Sequence, residues 1–285
     1  MSPLVLHVSE TRIEVSCPAW CARAIQSVYA PASRPLLPTT RVERWRARLL
    51  DAERWTLDVD GVEVAAGLGD EVALAGAIEE RFVLGLEARH PNACLLHAGL
   101  VELGGVWILF TGDSDRGKSS LTLETVRRGG RYFTDELVVT DAMRTWAVGR
   151  TPVFNIGLRD APMPPWLADV DRESFVYTLG DGTRMVRPLF SVPEAQWARA
   201  PIATRDVVVV RIDPRGPDRV TPIKGAEALA TLLDASLTRS FRPLGPLASD
   251  RRAFAIAWTS PSAAIDLLTA ATSHLASDRP PSSAP

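Results

Sequence analysis

Gly112, Asp113, Ser114, Asp115, Arg116, Gly117, Lys118 and Ser119 follow one another in the pattern G-x-x-x-x-G-K-[ST]. Residues of these types at this spacing bind phosphate. Glycine at either end lets the backbone curl until successive N–H groups face one anion. Lys118 reaches the β/γ-phosphates of a nucleotide, and the hydroxyl of Ser119, with Ser120 behind it, opens the following helix where Mg²⁺ would sit. Asp113 and Asp115 would repel phosphate, so they are expected to point outward or toward a metal. Arg116 either adds a phosphate contact or faces solvent. Phosphoryl transfer needs this cradle, a metal, and a residue that orients or deprotonates the acceptor. The neighbouring acids Asp135 and Glu136 could serve the last two needs. Mg²⁺ takes one or two protein oxygens, here Ser119 and one of the two acids.

The elements that must position these residues are legible around them. Val106 to Thr111 is an apolar, strand-like run, and Ser120 to Val126 is helix-like. The loop therefore opens a helix whose N-terminus carries partial positive charge. Cys94 to Glu102 reads as one strand, and Gly104-Gly105 as a tight turn into the next. That implies an antiparallel hairpin feeding the loop. A strand reached through a crossover helix would instead be parallel to its neighbour. Gly129-Gly130 is a plausible C-cap. Arg131 to Thr140 reads as one strand with Asp135 and Glu136 at its start. Successive strand residues point to opposite faces, so the two acids take different roles unless the strand bends there. The hairpin places His97 beside the strand entering the loop, where its imidazole could hydrogen-bond an acid or a phosphate. A lone histidine on an apolar strand is otherwise a core residue.

Further out, Leu4–Val8 and Arg12–Val15 alternate like strands. Pro18 to Tyr29 and Glu71 to Leu86 read as helices, the second with Val72, Ala75, Ile78, Phe82 and Leu86 on one side. Asp60-Gly61 between Trp55–Val59 and Val62–Val64 is a type I′ hairpin signal. Arg44, Arg46 and Arg48 read as a solvated helix face. Val207–Ile212 is a buried strand, Gly225–Leu237 a helix, and Ser260-Pro261 the start of a helix to about His274. The expected organisation is a small α/β region over residues 1–90, a nucleotide-binding domain over 91–275, and a Ser/Pro-rich tail over 276–285 expected to be disordered.

The net charge of −2 gives no global field for nucleic acid or anionic membrane, so neither is expected as a partner. Three cysteines, Cys17, Cys21 and Cys94, suit a reducing compartment rather than a disulfide framework. No signal peptide and no membrane span is expected, which points to the cytoplasm.

The arrangement resembles the HPr kinase/phosphorylase family and its related kinases with a PEP-carboxykinase-like nucleotide fold. Four features carry the resemblance in order: Leu96 to Gly99 with His97, the loop Gly112 to Ser119, the helix ending at Arg127–Arg131, and Thr134-Asp135-Glu136. It covers about residues 94–140. The resemblance implies an α/β fold with a mixed-sheet phosphate-loop core of PEP-carboxykinase/HPr-kinase type. It implies ATP and Mg²⁺ as cofactors and a serine hydroxyl of a protein or peptide as acceptor. Lys118 and the loop amides from Gly112 to Ser120 would hold phosphates, and Ser119 and Glu136 the metal. Asp135 would act as base, with His97 beside the acidic pair. The family's usual pair is Asp-Asp, and the second acid here is Glu136. The family's motif for recognising HPr is not found, and a homo-oligomer is possible. Arg150 or Arg159 could serve as a transition-state cation. Two other readings stay open: a nucleotide-binding regulatory or assembly protein without phosphotransfer, and a small-molecule kinase.

Overall fold

The computed structural model describes residues 3–8, 10–29, 39–51, 54–69, 71–113, 116–152, 172–178, 184–198, 200–213, 216–238, 240–248 and 252–277. The chain divides into two compact units, Met1–His90 with Val148–Ser191, and Pro91–Ala147 with Val192–Pro285.

In the first unit β1 (Leu4–Val8) and β2 (Thr11–Ser16) pair antiparallel, and α1 (Ala19–Tyr29) follows. Next come β3 (Arg41–Leu49), β4 (Trp55–Val59), β5 (Val62–Leu68) and α2 (Glu71–Arg89). The sheet runs β1-β2-β3-β4-β5, with β2 and β3 parallel. Asp60 and Gly61 have φ of 50° and 84°, the paired positive values a type I′ turn requires. Leu74, Ile78, Phe82 and Leu86 form the buried stripe of α2. Phe82 meets Tyr29 at 4.9 Å and Trp45 at 6.4 Å between ring centroids.

One reading is corrected here: Arg44, Arg46 and Arg48 lie on strand β3, not on a helix. Glu43 and Trp45 are buried while Arg44 and Arg46 are exposed, the period-two alternation of a strand with one solvated face. The three arginines at every second position were that signal, and a helix face would have spaced them three or four apart.

The second unit begins with β6 (Cys94–His97), β7 (Gly99–Leu103), β8 (Val106–Thr111), α3 (Lys118–Arg127), β9 (Arg131–Thr134), β10 (Leu137–Thr140) and β11 (Arg144–Ala147). The hairpin of β12 (Arg172–Thr178) and β13 (Arg184–Phe190) belongs to the first unit. The chain then returns with β14 (Ile202–Ala203), β15 (Val207–Ile212), β16 (Arg219–Pro222), α4 (Gly225–Asp234), β17 (Ala253–Ala257) and α5 (Pro261–Ser277). Among the described residues this unit holds a six-stranded sheet, β16-β17-β15-β8-β7-β9, and a four-stranded one, β14-β11-β10-β6. The expected α/β fold with mixed sheets is the observed one. Strand β8 pairs antiparallel with β7 through the Gly104-Gly105 turn and parallel with β15 on its other side. Ile108, Phe110, Val208, Val210 and Ile256 of the six-stranded sheet pack with Leu121 of α3 and with Ile265 and Leu268 of α5. Each large side chain buried there contributes about 1.5–3 kcal/mol.

Two expected single strands are each two strands in different sheets. Cys94–Glu102 divides at Ala98 into β6 of the smaller sheet and β7 of the larger. Arg131–Thr140 divides at Asp135-Glu136 into β9 and β10 in the same way. The crossings lie side by side: Leu137 stands opposite His97, Thr134 opposite Leu100, and the Ala98 N–H donates to the Glu136 carbonyl at 3.1 Å. The larger sheet comes close to α3 here, for a Cβ on Gly99 would lie 2.6 Å from Thr122 Oγ1. Helix α4 also ends earlier than expected. Residues 235–237 leave it to pair with β6, where the His97 N–H donates to the Ala235 carbonyl and the Leu237 N–H to the Leu95 carbonyl, both at 2.8 Å. At α5 the expected cap is present: Ser260 Oγ accepts from the Ala263 N–H at 3.2 Å. The expected tail lies, from residue 278 on, outside the described residues.

Candidate functional site

Strand β8 is fully buried and leads into the loop from the middle of its sheet. Gly112 has φ of 145° and Gly117 of 99°, values L side chains rarely adopt. Space excludes a side chain at Gly117 as well, because a Cβ there would sit 2.5 Å from the ring of Trp258. Gly117 is the N-cap of α3 and offers no side-chain cap, and the first turn holds no acid. The positive end of the helix dipole therefore meets no fixed negative side chain on its own first turn. This is a backbone cradle suited to phosphate. Lys118 is 6% exposed, and its Nζ donates to the carbonyls of Gly112 at 2.9 Å and Asp113 at 3.1 Å. Its ammonium is thereby held at the start of the loop. Ser119 and Ser120 are half-buried on the first helical turn. Asp113 is exposed, and Arg116 lies 3.4 Å from its carboxylate. Ser114 and Asp115 lie outside the described residues.

The acidic pair stands at the same sheet edge. Phe110, near the end of β8, pairs with Gly99 of β7, and the adjacent Leu100 pairs with Thr134 at the end of β9. The start of the loop and the acidic bend are therefore two strand spacings apart, about 10 Å. Thr134 Oγ1 accepts from the N–H groups of Glu136 at 3.2 Å and Leu137 at 3.3 Å and fixes the bend. The two acids differ in exposure. Asp135 is 2% exposed, and its Oδ1 accepts from the Tyr132 hydroxyl at 3.0 Å. The Glu136 side chain is 47% exposed, with His97 Nε2 3.6 Å from its Oε1. His97 and the acidic pair, expected to be neighbours, are brought together by the paired sheet crossings.

Helix α3 is anchored at its other end. Burial opposes ionisation of Glu124, but hydrogen bonds and charge from Arg127 and Arg128 outweigh it and hold the carboxyl below the usual range. Arg128 also reaches Asp266 and the Ser262 carbonyl on α5. Gly129, with φ of 86°, and the Gly130 N–H bonded to the Thr125 carbonyl close the helix as expected.

Arg150, one suggested transition-state cation, belongs to the first unit, where it bonds Glu79 at 3.0 Å and lies over Tyr29. Arg159 lies outside the described residues. Sequence reasoning missed Tyr132, Thr134 as the bend's hinge, and Trp258. Tyr132 was open to discovery, since a buried phenol needs a partner and an acid stood three residues on. Trp258 carried no local signal. Among the described residues no cluster of three or more His, Cys, Asp or Glu forms a ready metal site, and no helix is long and apolar enough to cross a membrane.

Fold and site define an α/β protein with a glycine-rich loop between a sheet strand and a helix N-terminus. No protein-family model matches the chain. It is 40% identical over 63 residues to an HPr kinase/phosphorylase of Clostridium beijerinckii, covering 22% of this chain and 21% of that protein. It is 54% identical over 43 residues to one of Limosilactobacillus reuteri, covering 15% and 13%. The chain thus spans about a fifth of the length of the curated relatives it matches, or less. Among solved structures, the Hpr(Ser) kinase/phosphatase of Coxiella burnetii aligns at a TM-score of 0.30 and 12% identity, over 64% of this chain and 97% of that one. Over its matching segment this chain is similar to the HPr kinases/phosphorylases.

Proposed function

We propose that this chain is an ATP-dependent kinase that transfers the γ-phosphate to a serine hydroxyl of a protein or peptide in the cytoplasm. The observation that carries the reading is the shared sheet edge: a phosphate cradle after β8 and an acidic bend after β9, about 10 Å apart. The backbone from Gly112 to Ser120 and Lys118 bind phosphate, while Ser119 and Glu136 supply oxygens for Mg²⁺. Asp135 takes the proton of the acceptor hydroxyl, and His97 steadies Glu136. ATP with Mg²⁺ would bring the phosphoryl group and neutralise its charge. In this reading the kinase domain spans residues 91–275, interrupted by 148–191, and neither nucleic acid nor membrane is a partner.

A second assignment of the two acids is favoured by their exposure. Glu136 is the more accessible and lies beside His97, so it would meet the acceptor while Asp135 works from behind. One experiment separates the outcomes, using γ-labelled ATP, Mg²⁺ and a mixture of candidate peptides and cell extract. Lys118→Ala is expected to lose ATP affinity. Asp135→Asn is expected to keep that affinity within about threefold and to lose transfer by at least about 10²-fold. Transfer surviving Asp135→Asn but lost in Glu136→Gln exchanges the two roles. Tight ATP binding by the unaltered protein with no labelled acceptor points to nucleotide binding without phosphotransfer.

A further inference from the structure

We infer that Tyr132 is a positioning residue for Asp135, locked in place by the segment that re-enters the nucleotide unit at Val192; the inference rests on the kinase reading above. A carboxyl as buried as Asp135 needs hydrogen-bond partners, and they hold it in one orientation. Tyr132 supplies one from 3.0 Å, and both side chains are buried. On a straight strand residues 132 and 135 would face opposite sides. The bend at Asp135-Glu136 turns the carboxylate back to the phenol. With Oδ1 held, the plane of the carboxylate is set, and with it the direction of Oδ2.

The phenol is itself held on several sides. The Tyr132 carbonyl accepts from the Ala198 N–H at 2.8 Å. Its ring meets Trp197 edge-on, with centroids 4.8 Å apart and planes at 88°. The Trp197 indole N–H donates to the Val192 carbonyl at 3.0 Å. Gln196 Nε2 donates to the Val126 carbonyl near the end of α3 at 2.8 Å. Residues 192–198 therefore clamp both the strand that carries the acids and the helix that carries the loop. Phenylalanine would satisfy the ring packing, and the hydroxyl adds the bond to Asp135.

The test uses the full chain with γ-labelled ATP and Mg²⁺, water serving as acceptor. Tyr132→Phe is expected to lower turnover about 10- to 100-fold. KM for ATP is expected to stay within about twofold, the thermal midpoint falls by no more than the loss of one buried hydrogen bond, and in an Asp135→Asn background the change adds no further loss of turnover. Trp197→Phe, which keeps a smaller ring against Tyr132, is expected to show the same split between kcat and KM with a smaller loss. A Tyr132→Phe protein with normal turnover, beside an inactive Asp135→Asn, overturns the inference and leaves the kinase reading intact. Lower stability and a raised KM at unchanged kcat mark Tyr132 as structural only, and overturn it too. Normal turnover in Asp135→Asn overturns the base assignment and the inference with it. Phosphate release no faster than from Lys118→Ala, together with no labelled acceptor in the mixture of peptides and extract, overturns both readings.

Discussion

In the first unit Glu43 lies buried on β3, and Arg89 at the end of α2 closes on it with Nε at 3.1 Å and Nη2 at 2.5 Å, while the Trp45 indole donates at 3.1 Å. In the nucleotide unit Asp135 lies as deeply buried, at a bend between sheets, and accepts from a phenol. The two regions put a buried carboxylate to different uses. A guanidinium cancels the charge and fixes geometry bidentately, so the Glu43 pair ties α2 to β3. Burial opposes ionisation of Glu43, but Arg89, with Trp45 and Arg41, outweighs it and holds the carboxyl below its usual range. A phenol orients a carboxylate without cancelling its charge. On the proposed reading the hydrogen bond from Tyr132 orients Asp135 for chemistry, whereas the ion pair with Arg89 makes Glu43 part of the fold.

Replacing Arg89 by Met tests the structural side of that contrast and has the largest expected effect. It leaves buried Glu43 with, among the described residues, only the exposed Arg41 at 3.3 Å and the Trp45 indole, and unfolding in urea is expected to show a loss of about 3 kcal/mol. Adding Glu43→Gln is expected to recover part of it, because the uncompensated charge is gone. A loss below about 1 kcal/mol would rank the pair with surface ion pairs and erase the contrast. Gly117→Ala sharpens the other side. Its φ of 99° and the ring of Trp258 oppose any side chain. Titration calorimetry with ATP and Mg²⁺ is expected to show about tenfold weaker binding, about 1.4 kcal/mol, with a stability loss of about 1–3 kcal/mol. Gly129→Ala is the control. Its φ of 86° is also positive, but a Cβ there meets nothing within 4 Å. It is expected to cost about 1 kcal/mol of stability and to leave ATP affinity unchanged.

The loop, its strand and its helix were legible in the sequence because each depends on local residue types: an apolar run, two glycines, a lysine and a helical repeat. The Gly104-Gly105 hairpin was legible for the same reason. The sheet crossings were not. Cys94–Glu102 and Arg131–Thr140 are each uniformly strand-like, and what divides them is the partner each half finds far along the chain. Propensity carries no information about partners. His97 was expected beside an acid or a phosphate and beside the strand entering the loop; it lies instead on β6, opposite Leu137 of β10, and the bend that was left open at the acidic pair brings Glu136 to it. Trp258 lies 141 residues after the glycine it packs against, and no local pattern could announce it. In the arginines of β3 the charge suggests any solvated face, and only their spacing of two marks a strand.

Acid titration gives the smallest expected effect and probes the same contrast at once in both units. Glu43 and Glu124 are both held below the usual glutamate range by arginines that outweigh the cost of burial. A carboxyl whose folded value lies below its unfolded value contributes stability that is complete above the unfolded value and lost as pH falls through the folded one. The share from these two carboxyls is therefore expected to be complete down to about pH 5 and to decline below it, after an earlier fall that begins near pH 6.5, where His7, held below its usual value by burial and by Arg12, must take up a proton on unfolding. Glu43→Gln and Glu124→Gln lower stability near neutrality, and each is expected to flatten part of that decline, read from urea midpoints between about pH 3 and 7. If neither flattens it, the arginine pairs do not set the acid response, and the structural use of a charge-paired carboxylate loses its energetic basis. If both do, the cancelled acids account for stability in acid, and the hydrogen bond from Tyr132 to Asp135 is left to be judged by turnover alone.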